Sequence, residues 1–112
     1  MRNLLFIACG TVEAACRALR NLAVNKDNQI AIAKAGGIER LMAALRTHAD
    51  HAGVVEAACG VLGNVGWTDK ALQKSIKDAG AEKVLHAAVA RANATGNTKQ
   101  WGQQLLGKLS KL

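Results

Sequence analysis

Proline is absent from the sequence, and aromatic residues make up only 3% of it, with one phenylalanine and two tryptophans. Without proline, helices can run without interruption, and alanine, the strongest helix former, is abundant. Half of the residues are hydrophobic, so a core must be built from small aliphatic residues and cysteine, which suits closely packed helices. Alternating runs typical of strands are missing. The composition of this 112-residue chain therefore predicts a single all-α domain.

Acidic residues are also few: eight, against 15 lysines and arginines, which gives a formal net charge of +7. Net charge bears on partners and solubility rather than on fold. The excess of positive charge favours an acidic partner, such as an acidic peptide, nucleic acid or an anionic surface. The alternative is a soluble basic protein with scattered, solvated lysines.

Long apolar runs of about 18 residues do not occur, so no membrane-spanning helix and no membrane partner are predicted. Residues 1–9 resemble a short signal ending in a lipid-accepting cysteine, but their apolar run is too short for a signal core, and a helix of the terminal repeat is favoured. Three cysteines are an odd number, and Cys16 and Cys59 are interpreted as small core residues. We therefore expect an intracellular, reducing location, the cytoplasm.

No residue pattern indicates an enzyme. His48 and His51 flank Asp50, but a metal site needs more ligands and better-fixed geometry, so this segment is interpreted as a polar loop. No cysteine lies near a histidine in the sequence, which leaves a Cys–His nucleophile unsupported. Gly36-Gly37 has no phosphate-loop context and is interpreted as a helix stop. Neither a metal nor another cofactor is predicted.

An internal repeat is present. The stretch Val-Glu-Ala-Ala-Cys occurs at 12–16 and again at 55–59, 43 positions later. The correspondence continues in Leu19 with Leu62, Asn21 with Asn64, and 35–37 with 79–81. The last pair is offset by 44 positions, which places a one-residue insertion in a loop. A helical period of roughly 40–47 residues is typical of stacked helical arrays.

Apolar residues recur at three- and four-residue steps, the spacing of amphipathic helices. Gly10-Thr11 is predicted to break the chain before the first long helix, with Thr11 as its N-cap. Gly36 and Gly80 are predicted to end short helices. His86 is in register with Met42 and is expected to be partly buried. The predicted helices are 2–9, 12–24, 29–35, 38–47, 54–65, 70–79, 82–92 and 99–109.

Two stretches resemble the armadillo repeat family. Residues 13–23, EAACRALRNLA, are similar to the third helix of an armadillo unit, and residues 28–38, NQIAIAKAGGI, are similar to the first helix, its glycine turn and the start of the second. The resemblance covers about residues 10–110. It implies an armadillo-type α-solenoid, a right-handed superhelix of about two and a half three-helix repeats. The expected units are a partial repeat at 1–26 and full repeats at 27–67 and 68–112.

The resemblance also implies a concave groove lined by the third helices. In the family, an asparagine on each third helix holds the backbone of an extended peptide, because one amide both donates and accepts. The matching positions are Asn21, Asn64 and, as a departure, Lys108. Some members carry a tryptophan one turn earlier; here those positions hold Arg17, Gly60 and Gln104, which argues against a basic ligand. The residue seven positions before each of these lies on the same face of its helix; those residues are Ala14, Ala57 and Trp101.

The predicted peptide-binding residues are thus Arg17, Asn21, Asn64, Trp101, Gln104 and Lys108. Each also has a plain structural interpretation. The asparagines and Arg17 could be solvated surface residues. Trp101 could anchor a ligand or cover the end of the last repeat, and its position in the final helix favours the second role. Trp67 lies in a turn and is expected to pack between repeats.

The function predicted from this pattern is a non-catalytic protein-interaction module that binds an extended, acidic peptide. One alternative is a structural, self-assembling fragment that forms a homo-oligomer through terminal helices, pairing Leu4, Leu5, Phe6 and Ile7 with Leu105, Leu106 and Leu109. Another, less favoured, is weak nucleic-acid binding by the basic surface. Few aromatic residues are present to stack on bases, so phosphate contacts would dominate and binding would be salt-dependent and unselective.

Overall fold

The computed structural model describes residues 9–112, and this part of the chain is all-α, as predicted. It contains seven helices and no strand. The helices are α1 (Cys9–Leu22), α2 (Lys26–Lys34), α3 (Gly37–Thr47), α4 (Ala52–Val65), α5 (Lys70–Asp78), α6 (Ala81–Ala90) and α7 (Gly96–Ser110). A search of these residues finds no helix that is both long and apolar enough to cross a membrane.

Helix α4 is the centre of the core. It packs against α1 on one side and α7 on the other, and also contacts α2, α3 and α5. Small residues dominate its buried positions, and Cys59, Val61 and Leu62 are fully buried. The three long helices therefore stack in the order α1, α4, α7, with the shorter helices α2 and α3 connecting the first pair and α5 and α6 the second.

Glycine ends the short helices at corresponding places in the two units. Gly36 has φ of 81° and Gly80 has φ of 87°, the two positive values among the described residues. A side chain with a Cβ is disfavoured in this left-handed conformation, whereas glycine adopts it freely. The chain can therefore turn sharply from α2 into α3 and from α5 into α6, which confirms the predicted helix stops.

Three predicted helix starts are wrong by three residues: those of α1, of α7 and of α2, which begins at Lys26 rather than at residue 29. Gly10 and Thr11 lie inside α1, so they neither break the chain nor cap a helix. Helix α7 begins at Gly96 rather than at residue 99, because the Thr95 side chain accepts a hydrogen bond from the Thr98 amide nitrogen at 3.1 Å. A threonine in this N-cap role satisfies a free donor of the first turn, and thereby extends the helix into the predicted polar loop.

His86 is exposed rather than partly buried. Helix α6 turns Ala81, Leu85 and Ala88 toward the core, and position 86 is rotated about 100° from position 85, away from that face. Met42, the corresponding residue of the first unit, is buried. Equivalent positions in the two units therefore differ in burial.

The apolar end surface expected for self-assembly is not formed at the C-terminal side. Leu105, Leu106 and Leu109 are all buried in the core, where α7 packs against α4, α5 and α6. These three leucines are therefore unavailable for pairing with a second copy. The residues expected at the other end, Leu4, Leu5, Phe6 and Ile7, lie outside the described part of the chain.

Candidate peptide-binding groove

An open groove of about 390 Å³ runs across the three long helices. It is lined by Arg20, Asn21 and Val24 of α1 and the residues just after it, by Gly60, Gly63 and Asn64 of α4 with Trp67 after it, and by Trp101, Gln104, Leu105 and Lys108 of α7. These are the C-terminal halves of α1 and α4 and the corresponding part of α7. The groove therefore follows from the repeat, because helices stacked in register present the same face side by side.

Five of the six predicted site residues line this groove: Asn21, Asn64, Trp101, Gln104 and Lys108. Arg17 does not. Its guanidinium Nη2 lies 2.5 Å from Oε2 of Glu13, one turn earlier on the same helix, and Arg20 lines the groove in its place. Trp101 lies in the groove rather than over the end of the last repeat.

Asn64 is tied to the neighbouring long helix. Its Nδ2 donates a hydrogen bond to the Arg20 carbonyl oxygen at 3.0 Å, and its side chain is partly buried. Asn21, in contrast, is exposed. Of the two asparagine amides of the groove, that of Asn64 is therefore oriented by the protein itself, while that of Asn21 is exposed to solvent.

A cationic side chain of the protein lies over the ring of each of the two tryptophans. The guanidinium carbon of Arg20 lies 5.3 Å from the ring centre of Trp101, and the Lys108 Nζ lies 4.2 Å from that of Trp67. A cation within about 6 Å of an aromatic ring centre is attracted by the negative face of the ring. Trp67 is 50% exposed, so it does not pack between the repeats as expected but faces Lys108 across the groove.

Gly60 makes the first of these contacts possible. A Cβ at this position would come within 2.6 Å of the Arg20 Cδ and 3.1 Å of the Trp101 ring carbon Cζ3. The missing side chain lets Arg20 extend from α1 across α4 to the tryptophan on α7. Arg20 and Trp67 line the groove but were not predicted as site residues. Trp67 could have been found from the repeat, because it lies three residues after Asn64, as Val24 lies three residues after Asn21.

The groove lining carries positive charge without compensation. Arg20 and Lys108 are charged, Asn21, Asn64 and Gln104 contribute amides, and none of the lining residues is acidic. The carboxylate of Glu13 instead lies over Gly53, in the first turn of α4. An anionic ligand would therefore find two cations and no repelling carboxylate along the groove.

The histidine-containing loop does not form a metal site. His48 Nδ1 lies 3.1 Å from the Cys9 Sγ, the His51 Nδ1 accepts a hydrogen bond from the Val54 amide nitrogen at 3.2 Å, and Asp50 pairs with Arg91. Since the three side chains have different partners, they do not converge, and no group of three metal-ligating side chains occurs within residues 9–112. The Cys9–His48 contact joins residues 39 positions apart and was not predicted.

Residues 25–65 match the family model described as Armadillo/beta-catenin-like repeat. The match runs from the N-cap of α2 to the last residue of α4, so it takes in one pair of short helices and the central long helix. Neither a curated protein nor a solved structure matches the chain. Residues 25–65 are thus a repeat of the armadillo family, and the all-helical structure of residues 9–112 is that of an armadillo-type α-solenoid. Such repeats generally mediate protein–protein interactions and are typically non-catalytic scaffolds.

Proposed function

We propose that the chain is a non-catalytic interaction module whose groove binds an extended, acidic peptide of a partner protein. The observation that carries this proposal is the composition of the groove lining, which combines two cations, three amides and two tryptophans with no carboxylate. The positive charge of the lining attracts an acidic partner and repels a basic one.

The size of the groove fits a short segment. Neighbouring packed helices are separated by about 8–10 Å, so three long helices span roughly 20 Å between their axes. An extended chain advances about 3.3 Å per residue, and about six ligand residues would therefore cross the groove. A peptide of this length can contact all three long helices without requiring a folded partner.

Different side chains of the groove are suited to different parts of such a ligand. The amides of Asn21, Asn64 and Gln104 can exchange hydrogen bonds with the peptide backbone. Arg20 and Lys108 can donate charge-assisted hydrogen bonds to carboxylates, which are shorter and stronger than neutral ones. The amides would hold any extended chain, and the two cations would select for acidic side chains.

Tryptophan fluorescence provides a direct test, because both tryptophans line the groove and the chain contains no tyrosine. We expect a peptide of alternating glutamate and serine to change the emission in a saturable manner, and the corresponding lysine peptide to leave it unchanged. The apparent affinity should fall as salt is raised, because salt screens exposed charges.

A matched pair of variants separates groove binding from general effects. Gln104 lines the groove, whereas its neighbour Gln103 is exposed outside the lining. Gln104→Ala should weaken binding several-fold, since a lost neutral hydrogen bond is worth about 0.5–1.5 kcal/mol, and Gln103→Ala should not. Equal effects of the two substitutions, or no response to the glutamate peptide, would contradict the proposal.

A further inference from the structure

Both tryptophan rings of the groove are already in contact with cations of the chain itself. Arg20 lies over Trp101 and Lys108 over Trp67. Aromatic faces in an open groove are attractive sites for the cationic side chains of a ligand. Here each ring has one face occupied by a side chain of the protein, and each occupying side chain also lines the groove.

The two contacts are built differently. Lys108 reaches Trp67 across the space between α7 and the turn after α4. Arg20 reaches Trp101 across the whole width of α4, where the absence of a side chain at Gly60 leaves room for it. The backbone carbonyl of Arg20 is in addition held by Asn64 at 3.0 Å. The arginine is therefore fixed at its base by a hydrogen bond and at its tip by an aromatic ring.

We infer that Arg20 and Lys108 determine the specificity of the groove by masking the two tryptophan faces. This inference rests on the proposed peptide-binding function. With both cations in place, a basic ligand meets like charge and occupied rings, whereas an acidic ligand meets two oriented donors. Without them, the same groove offers two exposed indole rings and three amides, a composition that suits cationic side chains.

The test is a reversal of ligand preference. The double substitution Arg20→Met and Lys108→Met removes both charges while keeping unbranched, apolar side chains. We expect the glutamate peptide to bind at least about tenfold more weakly and the lysine peptide to bind at least about tenfold more tightly, as followed by tryptophan fluorescence or calorimetry. Adding Trp67→Leu and Trp101→Leu should abolish the gain for the lysine peptide, with calorimetry as the readout.

A second double variant controls for net charge. Arg40 and Lys83 are exposed on the short helices α3 and α6 and lie outside the groove lining. Arg40→Met with Lys83→Met lowers the net charge by the same amount and should leave both affinities within about twofold of the parent. A gain for the lysine peptide that is equal in the two double variants would overturn the inference.

The outcomes for this inference and for the proposed function are distinguishable. If the parent protein binds the glutamate peptide and the Arg20/Lys108 variant gains nothing for the lysine peptide, the masking inference is wrong and the proposed function stands. If the parent binds neither peptide but the variant gains the lysine peptide, the masking is real and the acidic-peptide function is wrong. If neither protein binds either peptide, both are wrong.

Discussion

Gln29 and Gln73 are buried polar residues that have the same role in successive repeats. The Gln29 Nε2 donates to the Ala23 carbonyl oxygen at 3.0 Å, and the Gln73 Nε2 donates to the Gly66 carbonyl oxygen at 2.9 Å. The last carbonyls of a helix have no partner within the helix. Each glutamine therefore satisfies a carbonyl group just beyond the end of the preceding long helix and ties that helix to the next short one.

Gln73→Leu should destabilise the fold because the Gly66 carbonyl would lose its buried donor. An unsatisfied buried polar group costs about 1–3 kcal/mol, and the free energy of unfolding, measured by urea titration, should fall by that amount. The control is Gln103→Leu, at an exposed position of α7, where we expect a change below about 0.5 kcal/mol. If both substitutions had the same small effect, the hydrogen bond would contribute nothing to stability.

The cysteines differ in their surroundings. Burial raises the pKa of the Cys59 thiol to about 12, and burial also raises the pKa of Cys16. Cys9 is only partly buried, beside His48. A thiol whose pKa is raised by folding stays protonated in the folded state while the unfolded chain ionises near the ordinary value of 9.0. The contribution of this thiol to the free energy of unfolding is therefore complete below about pH 9 and is lost as the pH rises toward 12.

We accordingly expect the free energy of unfolding to fall between about pH 8 and about pH 10.5, with Cys59 contributing about 2 kcal/mol of that loss. Lysines also titrate at this pH, so the measurement is a comparison of the parent with Cys59→Ala by chemical denaturation at both pH values. The variant should show a shallower decrease. Parallel pH profiles would mean that ionisation of Cys59 does not limit alkaline stability.

At the scale of the helix, the two left-handed glycines contrast with Gly107 inside α7. Gly80 has φ of 87°, and a Cβ there would be strained whatever space surrounds it. Gly107 is exposed, and nothing lies within 4 Å of a Cβ built on it. The same substitution should therefore have opposite effects at the end of α5 and inside α7.

Gly80→Ala should destabilise by about 1–2 kcal/mol, the cost of a left-handed conformation for an L-residue, whereas Gly107→Ala should stabilise by up to about 1 kcal/mol, since alanine is the better helix former. The melting temperature by circular dichroism is a sufficient measurement. Effects of the same sign in both variants would show that conformational preference does not decide the outcome at one of the two positions.

At the scale of the whole molecule, the repeat register accounts for what could be predicted. Stacked units place corresponding residues side by side, so the five groove residues on α1, α4 and α7 could be read from positions 43 and 44 apart. Burial was less predictable, because it depends on how each helix is rotated: His86 turns outward, and Leu105 turns into the core.

Contacts between distant side chains were not predicted at all. Arg20 and Trp101 meet beside position 60, where a side chain would crowd both, and Cys9 at the start of α1 meets His48 at the end of α3. Such contacts depend on the rotation and separation of helices and on side-chain conformation, none of which a periodic pattern records. The sequence therefore predicts which residues share a face, but not which of them touch.

The hydrogen bond from Asn64 to the Arg20 carbonyl has a consequence for the order of residues in a ligand. One N–H of the Nδ2 is engaged by that carbonyl, so Asn64 keeps its second N–H as a donor and its oxygen Oδ1 as an acceptor. In the proposed peptide ligand, the backbone N–H of the residue opposite Asn64 can donate to this oxygen. In an extended chain such groups point to the same side at every second residue. Proline has no backbone N–H, so at the position facing Asn64 it would lose this hydrogen bond, whereas immediately beside that position it would not.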